Sequence, residues 1–327
     1  MSPSIDEQIY KVAKGSLRSS GGVSYTEFKR GLRPRYFVVW RDILLGHLAL
    51  VGIAAAHVWL QHHWPWSWFL NIPVSAFLVG FTLAYLNLFF HEAAHWNLAP
   101  DERWNDRLAD WLIGIFAGQS IAAYRVVHFG HHQHHGTMMD TEHSYFDPLN
   151  MRFIAASLLG IRAFQVARHR EAVVSGATAD PASRRASRWA LLRGMVLNGA
   201  IVCGTFFAGY WTLSVMWALG VLGFFPFLNA LRQLIEHRGD DASAQTDYSK
   251  VAHGRVNRLF GDSLLAQTFG GAGFNRHLLH HWEPQLSYMR LKDLERFIMD
   301  CECAPLFRQR QTTYTRTFWH FLKRGSR

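Results

Sequence analysis

The amino-acid sequence predicts an all-α integral membrane protein: four transmembrane helices in two hairpins, with a cytoplasmic helical cap holding a di-metal site. Three observations carry this expectation. The chain is 49% hydrophobic, yet its mean hydropathy is near zero, so apolar stretches alternate with strongly polar ones. No Lys or Arg occurs from Asp42 to Glu102, nor from Gly194 to Leu231. The 19 histidines gather in short repeated patterns beside these stretches.

A helix that crosses the hydrocarbon core needs about 20 mostly apolar residues, so each cation-free stretch holds two. Residues 1–36 are polar and basic and are expected to form a cytoplasmic N-terminal segment without a cleavable signal. A membrane domain is expected over residues 37–285, its first spans at about 37–60 and 68–90. Between them, "QHHWPWSW" offers Trp64, Trp66 and Trp68 for an interfacial aromatic belt and Pro65 for a tight turn. The stretch "LADWLIGIFAGQSIAAYRVVH" (108–128) is broken by Gly114 and Gly118 and is expected to dip into the membrane face without crossing. The stretch "MRFIAASLLGIRAFQVARHR" (151–170) mixes apolar residues with Arg152, Arg162, Arg168 and Arg170, as an interfacial helix does. Residues 171–188 read as a connector. The second pair of spans is expected at about 189–211 and 214–234, with Pro226 kinking the last. Residues 286–327 form a basic cytoplasmic C-terminal segment.

Both outer turns lack Lys and Arg, so the positive-inside rule puts both termini and the middle segment on the cytoplasmic side. That placement suits a bacterial inner membrane or the endoplasmic reticulum. The formal net charge of +10 raises nucleic acid as a partner, but cation-free stretches this long argue against it. A soluble all-α protein is the rival fold, disfavoured by four uncharged spans with consistent flanking charge. Three cysteines, Cys203, Cys301 and Cys303, are too few for a disulfide framework.

The histidines fall into "HEAAH" (His91, His95), "HFGHHQHH" (His128, His131, His132, His134, His135) and "HLLHH" (His277, His280, His281). Another, His237, follows Glu236 at the end of the last span. Residues three and four apart share a helix face, so each group can present two or three imidazoles together. His91 and His237 sit where spans end, and the other groups lie in the cytoplasmic segments. All can meet at one end of the bundle. Taking three from the middle run, the three groups and His237 supply nine imidazoles, too many for one ion and suited to two. In "HFGHHQHHG" the register is open, since His128-x-x-His131-His132 and His131-x-x-His134-His135 are the same pattern offset by three; helix geometry puts His135 on the face of His128 as a second-rank candidate and turns His134 away.

Neutral imidazole suits zinc, copper, iron and nickel. A structural zinc site needs four ligands and favours thiolates. Two iron ions are the favoured cofactor, because only a redox metal uses such a site to activate O2. In "HEAAH" taken alone, Glu92 would be the general base of a zinc protease. Such an enzyme has no use for two further histidine triples, so Glu92 is expected instead to orient a ligand histidine. A metal transporter or storage protein would place histidines along a path within the spans.

These residues resemble the membrane fatty acid desaturase superfamily of non-haem di-iron enzymes, whose signature is three boxes, HxxxH, HxxHH and HxxHH. Here they match His91–His95, His128–His132 and His277–His281. "NRHLLHHWEP" is similar to the third box with its Asn275 and Pro284, and "RQLIEH" looks like the family's extra histidine, His237. The resemblance implies that His91, His95, His128, His131, His132, His237, His277, His280 and His281 hold the irons. It also implies O2 as co-substrate and removal of hydrogen from an unactivated C–H bond of a fatty acyl or related lipid chain. Hydroxylation or ketone formation on a lipid or carotenoid is the alternative outcome on the same scaffold. No fused "HPGG" haem segment occurs, so electrons are expected from a separate donor such as a ferredoxin or a b-type cytochrome with its reductase. The basic face suits that donor or anionic membrane lipids. Asp140, Glu236 and Asn275, together with Asp147, Glu142 and Glu283, are candidates to hydrogen-bond the ligand histidines, and Asp106 and Asp110 could join them.

Overall fold

A computed structural model of the protein describes residues 4–142, 145–174 and 181–325. Among the described residues the structure is helical, without strands; two isolated bridges join Arg18 to Ser24 and Leu259 to Gln311. The N-terminal segment is ordered by local signals. Ser4 and Glu7 form a reciprocal capping box on α1 (Ile5–Lys11), and Ser24 caps α2 (Tyr25–Arg30). Both helices join the apolar cluster of Leu278, Trp282, Leu291, Leu294 and Phe307. The chain's first and last segments therefore pack onto the element that carries the third histidine box.

Four helices are long and apolar enough to cross a membrane: Tyr36–His63, Pro65–Ala94, Pro181–Phe207 and Trp211–His237. The first is α3 (Tyr36–His63), and α4 (Trp68–Ala94) follows after a single 3-10 turn that begins at Pro65. Pro73 is tolerated near the start of α4, where few intrahelical bonds are lost. At 27 residues α4 is about 40 Å long, so its histidine end reaches past the roughly 30 Å hydrocarbon core. Trp64, Trp66 and Trp68 at the turn are exposed, as an aromatic belt requires.

The glycine-broken stretch becomes α5 (Glu102–Ala109), a π turn over Asp110–Gly114, α6 (Ile115–Ala117) and α7 (Ile121–His134). Its two arms meet at 84°, the shape of a broken or re-entrant segment. The expected interfacial helix is split at Gly160 into α8 (Met151–Leu158) and α9 (Ile161–Val174). Within the expected connector, residues 175–180 lie outside the described residues, while 181–188 are helical.

The third span, α10 (Pro181–Phe207), starts eight residues before its expected position and stops earlier too. Pro181 suits a first helical turn, where its missing N–H has no partner to lose. Gly209 ends the helix: its φ of 87° is a left-handed position, and Tyr210 N donates to Thr205 O at 2.8 Å. The fourth span runs as α11 (Trp211–Leu219), a π turn over Gly220–Phe224 and α12 (Phe225–His237). Pro226 cannot donate to the preceding turn, and the π turn takes up that irregularity where a kink was expected. Trp68 and Trp211 rings lie 6.2 Å apart, so the two outer turns are neighbours.

The core between the spans holds Val79, Leu83, Phe89 and Phe90 of α4 with Met216 and Leu228. Outward, α3 and α10 expose Leu44, Leu48, Val51, Met195, Val196 and Phe206, an apolar surface that water would not tolerate but lipid does. The remaining helices, α13 (Leu264–Thr268), α14 (His277–Trp282), α15 (Leu291–Met299), α16 (Ala304–Arg308) and α17 (Tyr314–Gly325), gather at the histidine end. Tyr314 stacks on Phe260 with centroids 3.8 Å apart and ties α17 to this end.

Candidate metal centre

The last turns of α4 and α12 and the lengths of α7 and α14 bring ten histidines together. His91, His95, His128, His132 and His280 form one group whose potential ligand atoms all lie within 4.8 Å of one another. His131, His237 and His281 form a second, and His237 with Glu236 and His277 a third that shares its member. His277 Nε2 is 2.9 Å from His237 Nε2 and 3.1 Å from His281 Nε2, so the last two groups are continuous. The first and second groups adjoin, with the His132 and His281 rings 4.4 Å apart.

The expectation that His128, His131 and His132 act as one face is corrected. His128 and His132 are a full helical turn apart and enter the first group. His131 is adjacent to His132 but about 100° around the helix, and it enters the second. The third box divides likewise: His280 joins the first group, His277 and His281 the other. His135 follows His131 and not His128; its ring is 4.9 Å from that of His131 and 4.5 Å from that of His237. His134 is only half-buried, and its carbonyl accepts from Thr137.

The ring contacts cannot all be hydrogen bonds. A neutral Nε2 offers either one N–H or one lone pair. Yet His128 Nε2 faces His95 Nε2 at 2.8 Å and His132 Nε2 at 3.0 Å, and His132 Nε2 also faces His280 Nε2 at 3.2 Å. Both ring nitrogens of His91 and Nε2 of His131 are buried without partners. With metal–nitrogen bonds of about 2.1 Å, donors at right angles sit about 3.0 Å apart, so the donor set fits metal ions. Burial, reinforced by neighbouring imidazoles, pushes His277, His280 and His281 well below the ordinary histidine range, and burial pushes His95 down to about 3. These shifts favour the neutral ring, the form that binds metal.

The groups behind the rings differ from expectation in several places. Asp140 is as expected: its Oδ1 lies 2.8 Å from His131 Nδ1. It also accepts from Glu142 N at 2.9 Å, Gly136 N at 3.1 Å and the Tyr145 hydroxyl. Burial works to raise this carboxyl, but His131 and Tyr145 hold it below its ordinary range. Glu142 Oε1 is 4.0 Å from His128 Nδ1, and Glu236 Oε2 is 3.9 Å from His277 Nε2 while Tyr314 donates to its other oxygen. His237 Nδ1 lies 3.3 Å from Val256 O.

Glu92 binds no histidine among the described residues; it accepts from Asn97 Nδ2 and Tyr288 N, both at 3.1 Å, and so braces the loop after α4. Asn275 donates to Gly261 O at 2.8 Å and shapes the approach to α14. Glu283 turns away to Lys29 at 2.7 Å, Lys14 at 3.0 Å and the Tyr25 hydroxyl. Asp106 pairs with Arg125, Asp147 with Arg162, and Asp110 accepts from Ile121 N. His143 lies outside the described residues. Two residues escaped sequence reasoning: Tyr145, which holds Asp140, and Asn257, whose Nδ2 lies 3.4 Å from His135 Nδ1. Neither sits at a periodic position, so no spacing signal pointed to them.

A search among curated proteins returned no match. The model of the fatty acid desaturase family matches residues 66–314, which include every residue of both histidine groups. That is well over half of the 327 residues, and the chain belongs to the fatty acid desaturase family, whose members are lipid-modifying oxidoreductases.

Proposed function

We propose that the protein is a membrane-bound, O2-dependent di-iron desaturase that introduces a double bond into a fatty acyl or related lipid chain. The observation that carries this reading is the pair of adjoining, buried imidazole groups at one end of an apolar bundle. In this reading His91, His95, His128, His132 and His280 hold one iron, and His131, His237, His277 and His281 hold the other. Bound iron would supply the redox chemistry by which O2 removes two hydrogens from an unactivated chain.

The residues of the chain have definable tasks. Asp140 accepts a hydrogen bond from His131 Nδ1–H, which leaves that ring's Nε2 lone pair facing inward. Val256 O does the same for His237. Phe274 packs 4.5 Å from the His91 ring and 4.8 Å from that of His277 and keeps water from between the α4 and α14 donors. The apolar faces of α4 and α12 hold the hydrocarbon chain below the rings. Electrons come from a separate carrier, such as a ferredoxin or a b-type cytochrome with its reductase. Both termini face the cytoplasm, because the cations flank the histidine end of the spans.

The test compares lipid extracts of a host with and without the gene by mass spectrometry. Desaturation yields a product lighter by one hydrogen molecule. A product heavier by one oxygen atom would make the enzyme a hydroxylase, and conversion of a methylene to a carbonyl would make it a ketolase. An unchanged lipid profile with iron-loaded protein and both donor types supplied would refute all three.

A further inference from the structure

We propose that His135 is a tenth imidazole donor, completing a five-histidine set for the second metal with His131, His237, His277 and His281. The proposal rests on the di-iron reading and adds to it a residue outside the three boxes and the extra histidine. Its ring is buried inside the second group: centroids lie 4.5 Å from His237 and 4.9 Å from both His131 and His281. His135 Nε2 is buried and meets no hydrogen-bond partner. Among the described residues nothing else accounts for an orphaned nitrogen on a ring packed among three other imidazoles.

The arrangement of the two groups supports the same assignment. The first consists of two pairs spaced four residues apart on a helix, His91/His95 and His128/His132, plus the single His280. With His135 included, the second has the same composition: His131/His135 and His277/His281, plus the single His237. The run "HFGHHQHH" is then two interleaved pairs, each serving a different metal.

A ligand of this kind needs its other nitrogen held. Asn257 does this. Its amide nitrogen lies 3.4 Å from His135 Nδ1 and 2.9 Å from the Tyr10 hydroxyl, while its Oδ1 is buried without a partner. A half-turn of the amide puts Oδ1 in that position, where it accepts from Nδ1–H and from Tyr10 and leaves the Nε2 lone pair for the metal. The backbone N of Asn257 donates to Asp6 Oδ1 at 3.3 Å, so helix α1 anchors the whole chain of contacts.

The experiment uses the full chain, purified in detergent, loaded with ferrous iron and challenged with graded chelator. Iron is counted by mass spectrometry, and each site is followed by Mössbauer spectroscopy. His135→Gly is expected to keep one iron firmly and to lose the other at chelator levels at least about tenfold lower than for the wild type. Added free imidazole is expected to restore the second iron by filling the vacated position, a rescue that a merely structural histidine would not allow. Asn257→Leu keeps the imidazole but removes its support, and is expected to weaken the same site about 10–100-fold if His135→Gly fails to fold. Wild-type behaviour of folded His135→Gly, with two irons and an unaltered spectrum, would overturn the proposal and leave the di-iron reading intact. A wild-type chain that cannot hold two irons would overturn both.

Discussion

Replacing Asp140 tests how the second histidine group is held. Its Oδ1 serves His131 Nδ1 and Glu142 N, and its Oδ2 serves Gly136 N and the Tyr145 hydroxyl. In Asp140→Asn one of these oxygens becomes an NH2. Facing His131 and Glu142, that group would oppose two N–H donors. Facing Tyr145 and Gly136 it opposes one, because the hydroxyl can turn and accept. The second orientation wins, so His131 keeps its acceptor but loses the negative charge that raises its basicity. Iron at the second site is then expected to bind about tenfold more weakly, or about 1.4 kcal/mol. Asp140→Ala removes the acceptor as well and is expected nearer 100-fold, about 2.7 kcal/mol. The assay is chelator competition on purified protein, with iron counted and the product measured in parallel. Equal retention of both irons by wild type, Asp140→Asn and Asp140→Ala would refute the role given to this carboxylate.

Three further outcomes are expected. His131→Ala should abolish lipid modification while the protein remains in the membrane fraction; retained activity would contradict its place among the ligands. Gly136→Ala should lower the thermal midpoint and loosen iron, because Gly136 has a φ of 75° and a side chain there would overlap the Gly254 carbonyl; a left-handed non-glycine residue alone costs about 1–2 kcal/mol. Glu283 predicts a pH effect on the N-terminal segment. Burial works to raise its carboxyl, but Lys29, Tyr25 and Lys14 hold it below the ordinary value of 4.5. A depressed carboxylate stabilises the fold above its unfolded pKa and loses that contribution as pH falls through the folded value. Protection of α1 and α2 against hydrogen exchange, taken relative to the intrinsic rate at each pH, should therefore fall as the pH drops below 4.5 in the wild type, and should be low already at neutral pH in Glu283→Gln.

Much of the fold was legible because lipid imposes a coarse rule: long stretches without Lys or Arg. The ends of the spans were less legible. Gly209 stops α10 through a backbone conformation, not through hydropathy, and the π turn before Pro226 is a local adjustment with no charge signature. The histidine patterns disclosed which rings could meet, since a four-residue spacing puts two side chains on one face. They did not disclose that adjacent His131 and His132 serve different groups, because the partition depends on which way α7 lies between α4, α12 and α14. Nearness in sequence also misled. Glu92 lies between two ligand candidates, yet helix rotation aims it at Asn97 and Tyr288. Glu283 follows His281 by two residues, but the helix has ended there and non-helical backbone turns it toward Lys14 and Lys29. Asn257 and Tyr145 lie in irregular segments, where only the folded chain shows their neighbours.

The central claim is that the two imidazole groups hold two redox-active irons. Metal analysis of the full chain, purified from an iron-replete host, tests it most directly. The account predicts about two irons per chain and loss of lipid modification when they are stripped. One zinc per chain, held stoichiometrically and without iron, would contradict it.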